Sequence, residues 1–156
     1  MLDLNIQNET SRLRTVVLGT AFHNGPIPTI EECYDPKSKI HVIAGTYPKE
    51  QDMIVEMESV ARVFEKYGIK VFRPKVIENY NQIFSRDIGF VIEDKFITAN
   101  ILPDRDLEIS AIDHVLDQIP KENRISLPED CHVEGGDVMP WNNYIFIGTY
   151  SGKDYS

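Results

Sequence analysis

Two short β-hairpins, each introduced by a carboxylate, constrain the fold of this sequence more than any other feature. Phe90-Val91-Ile92 and Phe96-Ile97-Thr98-Ala99 are apolar, β-favouring runs either side of the polar tip Glu93-Asp94-Lys95, which predicts an antiparallel pair. Immediately before it stand Phe84-Ser85-Arg86-Asp87. Later, Val133-Glu134-Gly135-Gly136-Asp137 leads into Val138-Met139-Pro140-Trp141, a turn at Asn142-Asn143, and Tyr144-Ile145-Phe146-Ile147-Gly148. A side chain at the mouth of a strand is aimed into a cleft while the sheet holds its backbone still, so both hairpin entrances are candidate sites.

The rest of the chain supplies elements around these hairpins. After a polar leader, Arg14–Gly19 reads as a buried strand. Residues 20–45, with Pro26, Pro28 and Pro36 and no sustained period, read as an irregular functional loop or lid. Thr46 as cap and Pro48 in the first turn predict a helix, with Met53, Met57, Val60, Ala61 and Phe64 on one face and Gly68 as its left-handed terminator. Ile69–Pro74 resumes as a strand. A second amphipathic helix is expected through Ile109, Ile112, Val115, Leu116 and Ile119, ending before Pro120, then a short strand at Arg124–Pro128. The order suggests one unit of two strands, a helix and a strand occurring three times, the third stopping after its hairpin near Thr149. Its apolar face, Val138, Ile145 and Ile147, then has no following helix to cover it, and the tail Tyr150–Ser156 reads as loop.

At the first entrance, Asp87 is suited to accept two parallel hydrogen bonds from a planar cation, with Phe84 offering a face to that plane. The plain alternative is an Arg86–Asp87 salt bridge or turn. At the second, adjacent glycines where a strand should begin imply close backbone approach or positive φ. Glu134 is a candidate acid/base or histidine-orienting group, and Asp137 a substrate ligand or an anchor for the loop's amides; a glycine bulge flanked by solvated carboxylates is the alternative. Cys131, His132 and Glu134 lie within four residues, but Cys131 and His132 point to opposite faces of an extended strand and no second cluster supplies further ligands. Neither a metal site nor a Cys-His nucleophile pair is expected there. Cys33, His23, His41 and His114 have no partner at diagnostic spacing, and no phosphate-binding glycine loop is present.

A length of 156 residues with 42% hydrophobic content fits one domain with a real core. A net charge of −9 argues against nucleic acid or an anionic membrane as partner and favours a cationic ligand. Two distant cysteines make no disulfide scaffold, and Met1–Asn5 shows no signal-peptide pattern, so a cytoplasmic protein with reduced thiols is expected.

Phe84-Ser85-Arg86-Asp87 before one hairpin and Glu134-Gly135-Gly136-Asp137 before the next, about fifty residues apart, resemble the guanidino-group-modifying superfamily, which includes arginine deiminases, dimethylarginine dimethylaminohydrolases and amidinotransferases. The strand Leu13–Gly19 and the Lys49–Pro74 helix and strand resemble its first unit, so the resemblance spans nearly the whole chain. It implies an α/β pentein propeller of ββαβ units around a central active site, with residues 1–156 as the N-terminal portion, about the first half, of a single catalytic domain. Asp87 then corresponds to the carboxylate that grips the substrate guanidinium, Phe84 to the aromatic beside it, and Glu134 to the acidic member of a Cys-His-Glu/Asp catalytic set. The family's histidine and nucleophilic cysteine follow the Gly-Gly motif, and after Asp137 this sequence has neither. The implied activity is hydrolysis of a C–N bond of arginine or a substituted arginine through a Cys-amidino intermediate, or amidino transfer to an acceptor amine. No metal or cofactor is called for, and the 156-residue chain alone is expected to be inactive. A reading from another class is a non-catalytic half-barrel that binds arginine-like ligands or assembles with another chain. Expected partners are a small cationic guanidino substrate and either a second copy or the rest of the barrel.

Overall fold

The structure, a computed structural model, describes residues 1–33 and 36–149. The expected tail Tyr150–Ser156 lies outside the described residues, as do Tyr34 and Asp35.

The first β-rich run forms β1 (Thr15–Val17), which lies parallel to β2 (Lys70–Phe72) with Val16 opposite Val71. Parallel neighbours need a long crossover, and this one carries two helices, α1 (Pro36–Ile43) and α2 (Glu50–Lys66). Helix α1 corrects the expectation of an irregular stretch through residue 45: Pro36 stands at its first position, where proline costs no intrahelical hydrogen bond. It has no buried residue, which is why no apolar period announced it. Helix α2 begins later than expected, after Lys49. Thr46 does not cap it; its Oγ1 instead lies 2.9 Å from Nδ1 of His41. On its predicted apolar face Ala61 is buried and Met53, Met57 and Phe64 partly so, whereas Val60 is exposed. Gly68 does terminate it, at φ 71°, with its own N–H on Glu65 O (2.9 Å) and that of Ile69 on Phe64 O (3.0 Å). These paired bonds satisfy carbonyls that the helix end leaves open.

The first hairpin is β3 (Gly89–Ile92) and β4 (Lys95–Thr98), with Phe90 opposite Ile97 and a two-residue turn in which Glu93 takes φ 53°. β5 (Arg124–Ser126) adds parallel to β4, giving a sheet ordered β3-β4-β5. The connection from β4 to β5 was expected as one helix. It is instead a 3-10 turn at Pro103–Arg105, then α3 (Leu107–Ser110) and α4 (Asp113–Leu116). The interruption has a tertiary cause: Lys75 N–H occupies the Ala111 carbonyl at 2.8 Å, and Val115 N–H turns to Ile112 O. The apolar face is nonetheless buried, since Ile112 (1% exposed), Val115, Leu116 and Ile119 form the main core with Ile88.

The second hairpin is β6 (Val138–Trp141) and β7 (Tyr144–Ile147), turning at Asn142-Asn143 with Asn142 at φ 52°. Val138 packs with Phe90 and Ile97 in a second core cluster, so the expected uncovered face is covered at its Val138 end. Ile145 and Ile147 on that face are exposed, and so are Met139, Trp141 and Phe146 on the other.

The leader is structural. Leu2 and Leu4 pack on the main core, Ile6 exchanges two backbone hydrogen bonds with Glu93 (2.9 and 2.7 Å), and Gln7 O accepts from Asn142 N–H at 2.7 Å. One segment thus touches the tips of both hairpins. Among the described residues no helix is long and apolar enough to cross a membrane.

Candidate functional site

The two hairpin entrances meet at Gly135. Its N–H donates to the Asp87 carbonyl at 2.9 Å, and a Cβ there would be driven into the carbonyl oxygens of Arg86 and Gly89. Close approach, not positive φ, is what the Gly-Gly pair provides, since neither glycine lies in the left-handed region. At Gly136 a Cβ would stand 2.8 Å from Oδ1 of Asp87, so this glycine leaves room for that carboxylate.

Arg86 and Asp87 do not pair with each other. Arg86 Nη2 donates to Glu9 Oε1 (2.9 Å) and to the Val138 carbonyl (2.8 Å), tying the first entrance to the start of β6. Asp87 faces Arg105, a residue at the end of the 3-10 turn. Arg105 Nη1 donates to Asp87 Oδ2 at 3.0 Å and to Glu134 Oε1 at 3.3 Å. Its Nε and Nη2 grip the two oxygens of Glu108 at 2.7 and 3.3 Å, and Nη2 also reaches Phe84 O at 3.4 Å. The exposed Phe84 ring lies 6.0 Å from the guanidinium carbon, at the outer reach of a cation–π contact.

Phe84, Asp87 and Glu134 therefore surround one guanidinium group. Asp137 stands apart: it is exposed, and its carbonyl accepts from Gly148 N–H at 2.8 Å. Cys131 and His132 are exposed, Cys33 is buried with its Sγ donating to Thr29 O at 3.3 Å, and no His/Cys/Asp/Glu cluster suited to a metal occurs among the described residues.

Sequence reasoning missed Arg105 and Glu108. A signal was available: positions 105, 108, 112, 115 and 119 share one side of a helical period, so two opposite charges occupied an otherwise apolar face. Charges are seldom buried unless paired, and here the Glu108 side chain is 3% exposed and that of Arg105 11%.

Crowding of like charge tunes these groups. Burial pushes the Glu134 carboxyl above its usual range and Asp87 pushes the same way, while Arg105 partly offsets both and Asp137 adds to the rise. Burial likewise raises Glu108 against the pull of Arg105. For Arg105, burial alone would weaken the cation, but Glu108 and then Asp87 outweigh it and hold the guanidinium more firmly charged than usual. The result is a cradle of carboxylates, one carbonyl and one aromatic face, shaped for a planar cation.

No family model and no curated protein matches the sequence. Solved structures do match the fold. SxtG, an amidinotransferase from Microseira wollei in the saxitoxin biosynthetic pathway, superposes with a TM-score of 0.67 at 16% identity over 87% of this chain and 54% of its own. The inosamine-phosphate amidinotransferase StrB1 from Streptomyces griseus gives 0.62 at 16% identity over 90% of this chain and 53% of its own. The chain thus shares the mixed α/β fold of these two amidinotransferases and spans about half of their length.

Proposed function

We propose that the Asp87–Glu134 cradle binds the guanidinium group of an arginine-type substrate, as part of a guanidino-modifying enzyme that acts on a C–N bond. One observation carries this reading: carboxylates from two separate motifs converge on a single guanidinium nitrogen, Nη1 of Arg105, at 3.0 and 3.3 Å. That nitrogen uses Oδ2 of Asp87 and Oε1 of Glu134. Among the described residues no hydrogen bond reaches Asp87 Oδ1, beside Gly136, or Glu134 Oε2, which leaves acceptors for an incoming cation.

The mechanism that fits is attack of a cysteine thiolate on the guanidinium carbon, departure of an amine, and passage of the amidino group from sulfur to an acceptor. Asp87 holds the cation, and Glu134 orients the histidine that moves protons and stabilises its positive form. In this reading Asp137 is a further substrate ligand, and the cysteine and histidine come from polypeptide outside the 156 residues. The same polypeptide, completing a pentein barrel, or a second copy covers β6–β7. Both structural neighbours described above are amidinotransferases, which favours an amine over water as acceptor.

Calorimetric titration with agmatine and arginine tests the cradle. Asp87→Asn is expected to lose about 2–5 kcal/mol of binding, the cost typical of removing one partner of a charge-assisted pair, with its circular dichroism unchanged. Equal affinity in the variant overturns the reading.

A further inference from the structure

Resting on the functional reading above, we propose that Arg105 is a positioning residue, a fixed strut anchored on Glu108 that holds the Asp87 and Glu134 carboxylates converged and ready for a substrate guanidinium.

Its anchorage distinguishes a strut from a temporary occupant. The Nε and Nη2 of Arg105 fork onto both oxygens of Glu108 at 2.7 and 3.3 Å, and the Glu108 side chain is 3% exposed. Swinging Arg105 out would strand a buried carboxylate, which is strongly unfavourable. The turn and helix that carry the pair are fixed in their turn by the Leu102 and Pro103 carbonyls, which accept from Arg105 and Asp106 N–H, and by Ile109 and Ile112 packing in the main core. With Nε and Nη2 committed, Nη1 alone faces the two site carboxylates. It reaches one oxygen of each, and in doing so fixes the distance between two motifs on different hairpins.

The electrostatics point the same way. Glu134 faces Asp87 and Asp137 from the two hairpin entrances, and Arg105 and Glu108 from the connection between β4 and β5. Three of these four neighbours are acidic. Arg105 is the cation that offsets burial and the neighbouring carboxylates at Glu134; without it Glu134 is drawn toward its protonated form or turns away, and the cradle loses its second acceptor.

The test titrates agmatine into the wild-type protein, Arg105→Ala, Arg105→Lys and Asp87→Asn across pH, with and without millimolar guanidinium chloride. A strut predicts that Arg105→Ala loses at least tenfold in agmatine affinity and that the acid limb of its binding curve moves to higher pH. It also predicts that added guanidinium restores affinity in Arg105→Ala by filling the vacated position, whereas it competes in wild type. Arg105→Lys keeps a charge but cannot fork, and is expected to bind weakly without rescue. If Arg105→Ala does not fold, Arg105→Lys decides by its affinity. Agmatine affinity equal to or above wild type in the folded Arg105 variants, with Asp87→Asn still defective, overturns the strut and leaves the cradle standing. Wild-type affinity in Asp87→Asn overturns the cradle itself.

Discussion

The amide of Gly135 donates a 2.9 Å hydrogen bond to the carbonyl oxygen of Asp87, and this one bond joins the two motifs from which the site is built. The two adjacent glycines are expected to fail differently when filled. A Cβ at Gly135 meets the backbone of Arg86 and Gly89, which cannot move independently of β3, so Gly135→Ala should destabilise by about 1–3 kcal/mol or more. At Gly136 the obstacle is the Asp87 side chain, 2.8 Å away, which can rotate. Gly136→Ala should therefore melt close to wild type and yet bind agmatine poorly. Urea unfolding alongside calorimetry separates the two, and a fully stable Gly135→Ala would show that the close approach is relaxed in solution.

Glu134 carries a pH signature. Burial and Asp87 raise its carboxyl above the ordinary glutamate range. A raised carboxyl contributes most to stability below its unfolded value, and that contribution is lost as pH rises through the folded value. Glu134→Gln cannot ionise and escapes the loss. Its melting temperature should match wild type in acid and move slightly above it toward neutral pH, while agmatine binding is lost throughout. In the wild type, binding should weaken as pH falls through the raised value. A melting-temperature difference that instead grows in acid would reverse the sign and refute the assignment.

The core makes a plainer prediction. Ile112 is 1% exposed among Ile88, Val115, Leu116 and Ile119, and Ile112→Ala should cost about 2–5 kcal/mol. Ile147→Ala, at a position 58% exposed, should change stability by no more than about 0.5 kcal/mol. Similar losses at the two positions would mean that β7 is packed in solution.

Apolar side chains are exposed on both faces of β7, with Met139 and Trp141 beside it, and apolar surface of this kind favours association. The 156-residue chain should bind a hydrophobic dye and self-associate in light scattering, and Ile145→Thr with Ile147→Thr should reduce both. A monomer that binds no dye would remove the basis for an association surface here.

Hairpins, turn residues and the end of α2 were legible because each rests on a local rule: alternation either side of a polar tip, or glycine where a left-handed residue closes a helix. The beginning of α2 is harder to read, because the Thr46 hydroxyl that could cap it engages His41, five residues back in α1. The break at Ala111 is hidden from local rules, since its carbonyl is claimed by Lys75 from a distant part of the chain. Phe84, Asp87 and Glu134 stand out in the sequence by their place before hairpins, and the fold brings them around Arg105. Arg105 and Glu108 are harder to see, because the apolar period they interrupt dominates that stretch. The leader is less polar than it first reads, since Leu2, Leu4 and Ile6 alternate with polar residues in a half-buried strand pattern.

That leader places a demand on the order of assembly. Ile6 pairs with Glu93 and Gln7 with Asn142, partners far away along the chain. Closing so large a loop is slow relative to forming either hairpin. Each hairpin closes over only a few residues, so the leader is expected to clasp the two tips together last, once both are in place.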